Sequence, residues 1–144
     1  MDSTGPLPST ANGYKYWITF TDNATCFRRC WLLQKKSEAF AAFKLYKAWA
    51  EKQTGRSLKA LWDDKGGKYM SNEWEAFMLE QGIEHQHTTW ATPQQNGVAE
   101  RTNRILHEGV TSLLSEAHFP AHFWGEALSC YLHPLLLCSW QDSL

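Results

Sequence analysis

At 144 residues the chain fits one domain, and its 43% hydrophobic content supplies a core of ordinary size. A net charge of −1 excludes the strongly basic composition usual for a free-standing DNA-binding domain. Apolar residues never run on for the roughly 18 positions that a membrane helix needs. The cysteines Cys26, Cys30, Cys130 and Cys138 form no Cys-x-x-Cys pair, so free thiols in a reducing, intracellular setting are expected, with no membrane partner.

In chain order, residues 5–12 are rich in Pro, Ser and Gly and read as a loop. Residues 14–22 are aromatic and β-branched and predict a strand. A turn at Asp22-Asn23-Ala24 leads to an antiparallel partner over 25–33. Ser37 opens a helix with Phe40, Phe43, Tyr46 and Ala50 at helical spacing, and Gly55 closes it. Residues 58–62 predict a short buried strand, followed at once by the polar loop Asp63-Asp64-Lys65-Gly66-Gly67. Ser71 caps a helix with Trp74, Phe77 and Met78 facing inward, Gly82 ends it, and 83–88 is another strand. A loop over 91–96 around Pro93 precedes a long helix over 97–117, and a last helix covers 119–133. Strands alternating with helices require parallel pairing in the second half. The expectation is α/β: a mixed five-stranded sheet flanked by helices.

Asp64 follows the carboxyl end of a strand, where open α/β sheets gather functional groups. Glu100 stands in the first turn of the long helix, separated from Asp64 by 35 residues, and 61 residues separate Asp2 from Asp64. Carboxylates from separate elements, meeting at one sheet edge, can hold two divalent ions about 3.5–4 Å apart for phosphoryl transfer. Mg²⁺ requires such hard oxygen ligands. Singly, each has an ordinary explanation: an Asp after a strand caps a turn, and a Glu in a first helical turn suits the helix dipole. On the long helix Glu100, Asn103, Arg104 and His107 share one stripe; Leu106, Val110, Leu113 and Leu114 form another. His85 and His87 read as surface strand histidines rather than metal ligands.

The words around the carboxylates are more specific. Asp64-Lys65-Gly66-Gly67-Lys68-Tyr69 is similar to the integrase Asp-Asn-Gly-Gly-Glu-Tyr signature. Thr92-Pro93-Gln94-Gln95-Asn96-Gly97-Val98-Ala99-Glu100-Arg101, continued by Asn103-Arg104, resembles the copia-type retrotransposon integrase motif along its whole length. Phe123-Trp124-Gly125-Glu126-Ala127 is similar to that family's next helix, and Asp2 before Gly5-Pro6-Leu7 to its first catalytic Asp. The resemblance covers residues 1–133 as a catalytic core, with 134–144 as a divergent tail beyond Pro134.

The resemblance implies an RNase H-like fold whose first strand is truncated here. It implies Asp2, Asp64 and Glu100 as catalytic, metal-holding carboxylates, with Mg²⁺ or Mn²⁺ as cofactor. It implies DNA partners, both element ends and target, a homodimer or higher oligomer, and a nuclear location. Lys65, Gln94, Gln95, Asn96, Arg101, Asn103 and Arg104 become nucleic-acid contacts, with 94–97 a hinge beside Glu100. Four residues depart from the family: Asn23, Cys26, Trp62 (for a usual Arg) and Lys68 (for a usual Glu). These departures, the aromatic excess and the short start suggest a degenerate, truncated copy with weak activity. The alternative is a non-catalytic relic that keeps the fold as a nucleic-acid-binding or dimerisation module. A true ribonuclease H is disfavoured by the 35-residue spacer between Asp64 and Glu100 and by the Pro93–Arg101 motif.

Overall fold

The computed structural model describes residues 2–22, 28–63, 72–87 and 93–141. Strands β1 (Asp2–Thr4), β2 (Tyr16–Thr21) and β3 (Arg28–Leu33) come first. A 3₁₀ turn (Lys36–Glu38) leads into α1 (Ala39–Thr54), followed by β4 (Ala60–Asp63), α2 (Asn72–Glu80) and β5 (Glu84–His87). Helix α3 (Pro93–Glu116), a second 3₁₀ turn (Ala121–Phe123) and α4 (Trp124–Gln141) complete the chain.

β2 organises the layers. Its residues Trp17, Ile18, Thr19 and Phe20 are all buried, although they alternate between the two faces of the sheet. Ile18 and Phe20 point into a core shared with Phe43 and Tyr46 of α1 and with Trp74 and Met78 of α2. Trp17 points the other way, into a core with Leu106 and Val110 of α3 and Trp124 and Leu128 of α4. A strand buried on both faces needs helices on both sides, which is the three-layer solution.

The aromatic residues fill these two interfaces. Phe20 stacks on Tyr46 with ring centroids 4.7 Å apart and meets the Trp31 edge at 5.4 Å. Phe43 lies against Trp74 at 5.4 Å. Across the sheet, Trp17 packs on Trp124 at 5.6 Å, and the Trp124 indole N–H donates to the Pro8 carbonyl at 2.7 Å. That bond ties the 5–12 loop to α4. Helices α3 and α4 approach closely because residue 109 is glycine: a Cβ there would collide with the Tyr131 ring.

The class expected from the sequence stands, with antiparallel pairing in the first half and parallel pairing of β4 with β5 in the second. Among the described residues the strands fall into two sheets, β1-β2-β3 and β4-β5, rather than one continuous five-stranded sheet. β1 has three residues, so it offers few backbone groups for a bridge to β4.

Two helix boundaries also differ. The expected loop over 93–96 is the first turn of α3. Proline at the first helical position has its φ preset and gives up only an N–H that would lack a helical partner, so Pro93 starts the helix. The chain also remains helical through Pro134 to Gln141, where a break was expected. A proline inside a helix costs on the order of 3 kcal/mol. The buried first turns of α4, with Trp124, Ala127 and Leu128, anchor it against that cost.

Because 93–97 is helical, Gly97 is a stability defect rather than a hinge. A Cβ there meets nothing within 4 Å. Gly97→Ala is expected to stabilise the fold by about 0.5–1 kcal/mol, read from the urea midpoint. A loss of stability would mean that this turn leaves the helix in solution.

Candidate active site

The best-defined part of the site joins β2 to α3. Asn103 is half-buried, and its side-chain carbonyl accepts two hydrogen bonds from β2. The Thr19 hydroxyl donates at 3.2 Å and the Trp17 indole N–H at 3.4 Å. With its proton given to Asn103, the Thr19 oxygen accepts from the Cys30 thiol of β3 at 3.2 Å. Burial pushes the Cys30 thiol up to about 11, so it stays protonated and able to donate at neutral pH. Three elements are therefore stitched together by one short chain of hydrogen bonds.

This stitch sets the roll of α3. With Asn103 turned inward, Thr102, Leu106 and Val110 are buried, while Glu100, Arg101, Arg104 and His107 remain exposed. His107 still borders the Trp17 ring, at 6.3 Å between centroids. The expected stripe is thus divided: Asn103 is an anchor, and its neighbours face outward. The sequence reading assigned Asn103 to nucleic acid and missed Trp17 and Thr19 as its partners. The signal was present in a Thr set between aromatic residues on an apolar strand.

The register brings the chain's first carboxylate residue to the same place. Asp2 sits opposite Thr19 in the β1–β2 ladder, and Thr19 is bonded to Asn103, one turn after Glu100. β1 also packs against α3. β4 ends at Asp63, which pairs with His87 at the carboxyl ends of both strands. Asp64 and Lys65 lie outside the described residues, as do Asn23, Cys26 and Lys68. Gln94, Gln95 and Asn96 are placed on the first turn of α3 by their backbone.

Trp62, which stands where the family usually has Arg, is held across the pair of strands. Its indole N–H donates to the Gln86 side-chain oxygen at 2.6 Å, and Gln86 is its partner in the ladder. Among the described residues no three His, Cys, Asp or Glu side chains gather as a metal-holding group. The oxygen donors of Asp2, Asp64 and Glu100 are chemically of the kind that Mg²⁺ or Mn²⁺ takes.

The fold is that of a retroviral integrase, RNase H-like. The chain superimposes on one in the simian T-cell lymphotropic virus intasome in complex with PP2A regulatory subunit B56 gamma, with a TM-score of 0.64 and 24% identity. That match covers 91% of this chain and 45% of the other. In sequence the chain is 44% identical over 136 residues to the retrovirus-related Pol polyprotein from transposon TNT 1-94 of Nicotiana tabacum. It is 29% identical over 126 residues to the Pol polyprotein from transposon RE2 of Arabidopsis thaliana, and 31% over 130 residues to the Ty1-DR4 Gag-Pol polyprotein of Saccharomyces cerevisiae. These matches cover 91%, 88% and 88% of the chain, but the chain spans only 10%, 8% and 8% of those polyproteins. No protein-family model matches it. Its homologues are thus retrotransposon Pol polyproteins and its structural neighbour is part of a retroviral intasome, consistent with an integrase-core segment.

Replacing Asn103 by Leu tests the anchor. The change strands the Trp17 N–H and the Thr19 hydroxyl inside the fold, so a loss of about 1–3 kcal/mol is expected in urea unfolding. A residue serving only to touch nucleic acid would leave the midpoint unmoved.

Proposed function

We propose that the chain is the catalytic core of a DNA integrase, trimming element ends and joining them to target DNA by phosphoryl transfer. The observation that carries this reading is the stitch between β2 and α3. Through the ladder it sets the Asp2 position beside the helical turn that bears Glu100. Asp64 follows β4 directly, in the family's Gly-Gly motif.

In this reading Asp2, Asp64 and Glu100 would hold Mg²⁺ or Mn²⁺, which supplies charge stabilisation and activates the attacking oxygen. The other residues position the DNA. Arg101 and Arg104, three positions apart, are exposed on one stripe of α3 and suit phosphates of the joined strands. Lys65 adds a cation next to Asp64. Gln94, Gln95 and Asn96 occupy the N-terminal turn of α3, an end whose amides favour phosphate. In-line attack is sensitive to placement, and an error of about 1 Å can cost about 100-fold. That sensitivity is why a rigid stitch next to Glu100 matters. The chain would work in the nucleus, as a homodimer or higher oligomer. Alone it would be slow, since Trp62 takes the place of the family's arginine beside Asp63 and Asp64.

The test is strand joining with a labelled element-end oligonucleotide and Mn²⁺. Asp64→Asn and Glu100→Gln should each lower the rate at least about 100-fold without changing the circular dichroism. If wild-type joining is too slow to follow, calorimetric Mn²⁺ binding gives the same comparison, with weaker binding in both variants. Variants that join and bind like the wild type would remove Asp64 and Glu100 from the reaction.

A further inference from the structure

Trp62 stands next to last in β4, and Gln86 holds the same place in β5. Leu61 points into the core shared with Phe20 and Phe43, on the side of α1 and α2. Side chains alternate along a strand, so Trp62 points the opposite way. On β2 that opposite side carries Trp17 and is covered by α3. Gln86 is the ladder partner of Trp62, and its side-chain oxygen accepts the Trp62 indole N–H at 2.6 Å, so both stand on this face. Both strands reach their carboxyl ends one residue later, at Asp63 and His87.

An indole N–H can only donate. The Gln86 amide therefore has to present its oxygen to Trp62 and turn its NH2 group away. That nitrogen keeps two donor hydrogens, and among the described residues no other hydrogen bond takes them up. Gln86 and Trp62 are both half-buried, so the amide is fixed and still partly open to solvent. A glutamine side chain normally loses rotamer freedom when a ligand orders it. Here the ordering is already done, by a partner that cannot satisfy the donors, and a preset donor binds an incoming acceptor at less cost. The ends of parallel strands are also where ligands arrive in α/β sheets.

We propose that Gln86 contacts DNA: its NH2 group donates to a phosphodiester oxygen of the strand lying in the site, and Trp62 is the positioning residue that aims it. The choice of DNA as the ligand rests on the function proposed above. The aim of the amide does not, because it follows from the hydrogen bond alone. The contact is neutral, so it orients the backbone by direction rather than by charge. An arginine at position 62, usual in the family, would bring charge instead. A neutral donor releases no counterion, so it adds affinity without adding to the salt dependence. It reads no base, and its effect is the same on every sequence.

The test is fluorescence anisotropy of a labelled DNA duplex in Ca²⁺ across a NaCl series, with thermal melting of each variant. Gln86→Leu should weaken binding about 3- to 10-fold and leave the slope of log affinity against log salt unchanged. Gln86→Glu keeps an acceptor for Trp62 but turns an anionic oxygen toward the phosphate, and should weaken binding by more than about tenfold. Trp62→Phe keeps a ring but releases the amide, and should fall between the wild type and Gln86→Leu. Trp62→Arg sets a cation at the same place and should steepen the slope by about 0.9. If Gln86→Glu binds like the wild type, Gln86 serves only as the acceptor for the indole, and the proposal is overturned. Early melting of Gln86→Leu with unaltered affinity would overturn it too, as would an unchanged slope in Trp62→Arg, which would put position 62 outside the DNA footprint. Loss of joining in Glu100→Gln, with every Gln86 and Trp62 variant binding like the wild type, would keep the catalytic reading and sink this one. Weakened binding by the Gln86 variants, with full joining in Glu100→Gln, would do the reverse.

Discussion

The side-chain carbonyl of Asn103, taking two hydrogen bonds from β2, fixes what the rest of the molecule can do. A helix turns about 100° per residue, so a slip of one position would bury Glu100 or carry it round the helix. Apolar packing of Leu106 and Val110 holds α3 near the sheet but tolerates some rotation. Two donors aimed at one oxygen do not. Each bond is worth only about 0.5–1.5 kcal/mol net, yet an unmet donor in this environment costs more than that, which makes the alternatives expensive.

That constraint works because β2 is rigid. Its four buried residues are gripped from both faces, by the Phe20 and Tyr46 stack on one side and by Trp17 against Trp124 on the other. The Cys30 thiol, kept protonated by burial, extends the grip into β3. The aromatic excess of the sequence is therefore largely structural. An exception is Trp49, at the rim of α1 and β3, whose ring carries the Arg29 guanidinium.

Much of this was legible in the sequence. Helical spacing of Phe40, Phe43 and Tyr46 located α1, and Gly55, with φ of 63°, ended it. Alternation in β2 was masked, because both faces are buried and the strand reads as a continuous apolar run. Pro93 was ambiguous: the same residue closes a loop and opens a helix, and only the packing of α3 on the sheet decides. The partners of Asn103 within the fold were hidden for a related reason. The sequence around Glu100 says nothing of partners on β2, more than 80 positions away.

The central claim is that β1, β4 and α3 bring Asp2, Asp64 and Glu100 to one point. The most direct measurement is anomalous scattering from a Mn²⁺-soaked crystal of the chain. The account predicts Mn²⁺ within carboxylate-ligand distance of Asp64 and Glu100, with Asp2 on the same cluster. Manganese bound elsewhere, with Asp64 and Glu100 on opposite faces of the sheet, would contradict it.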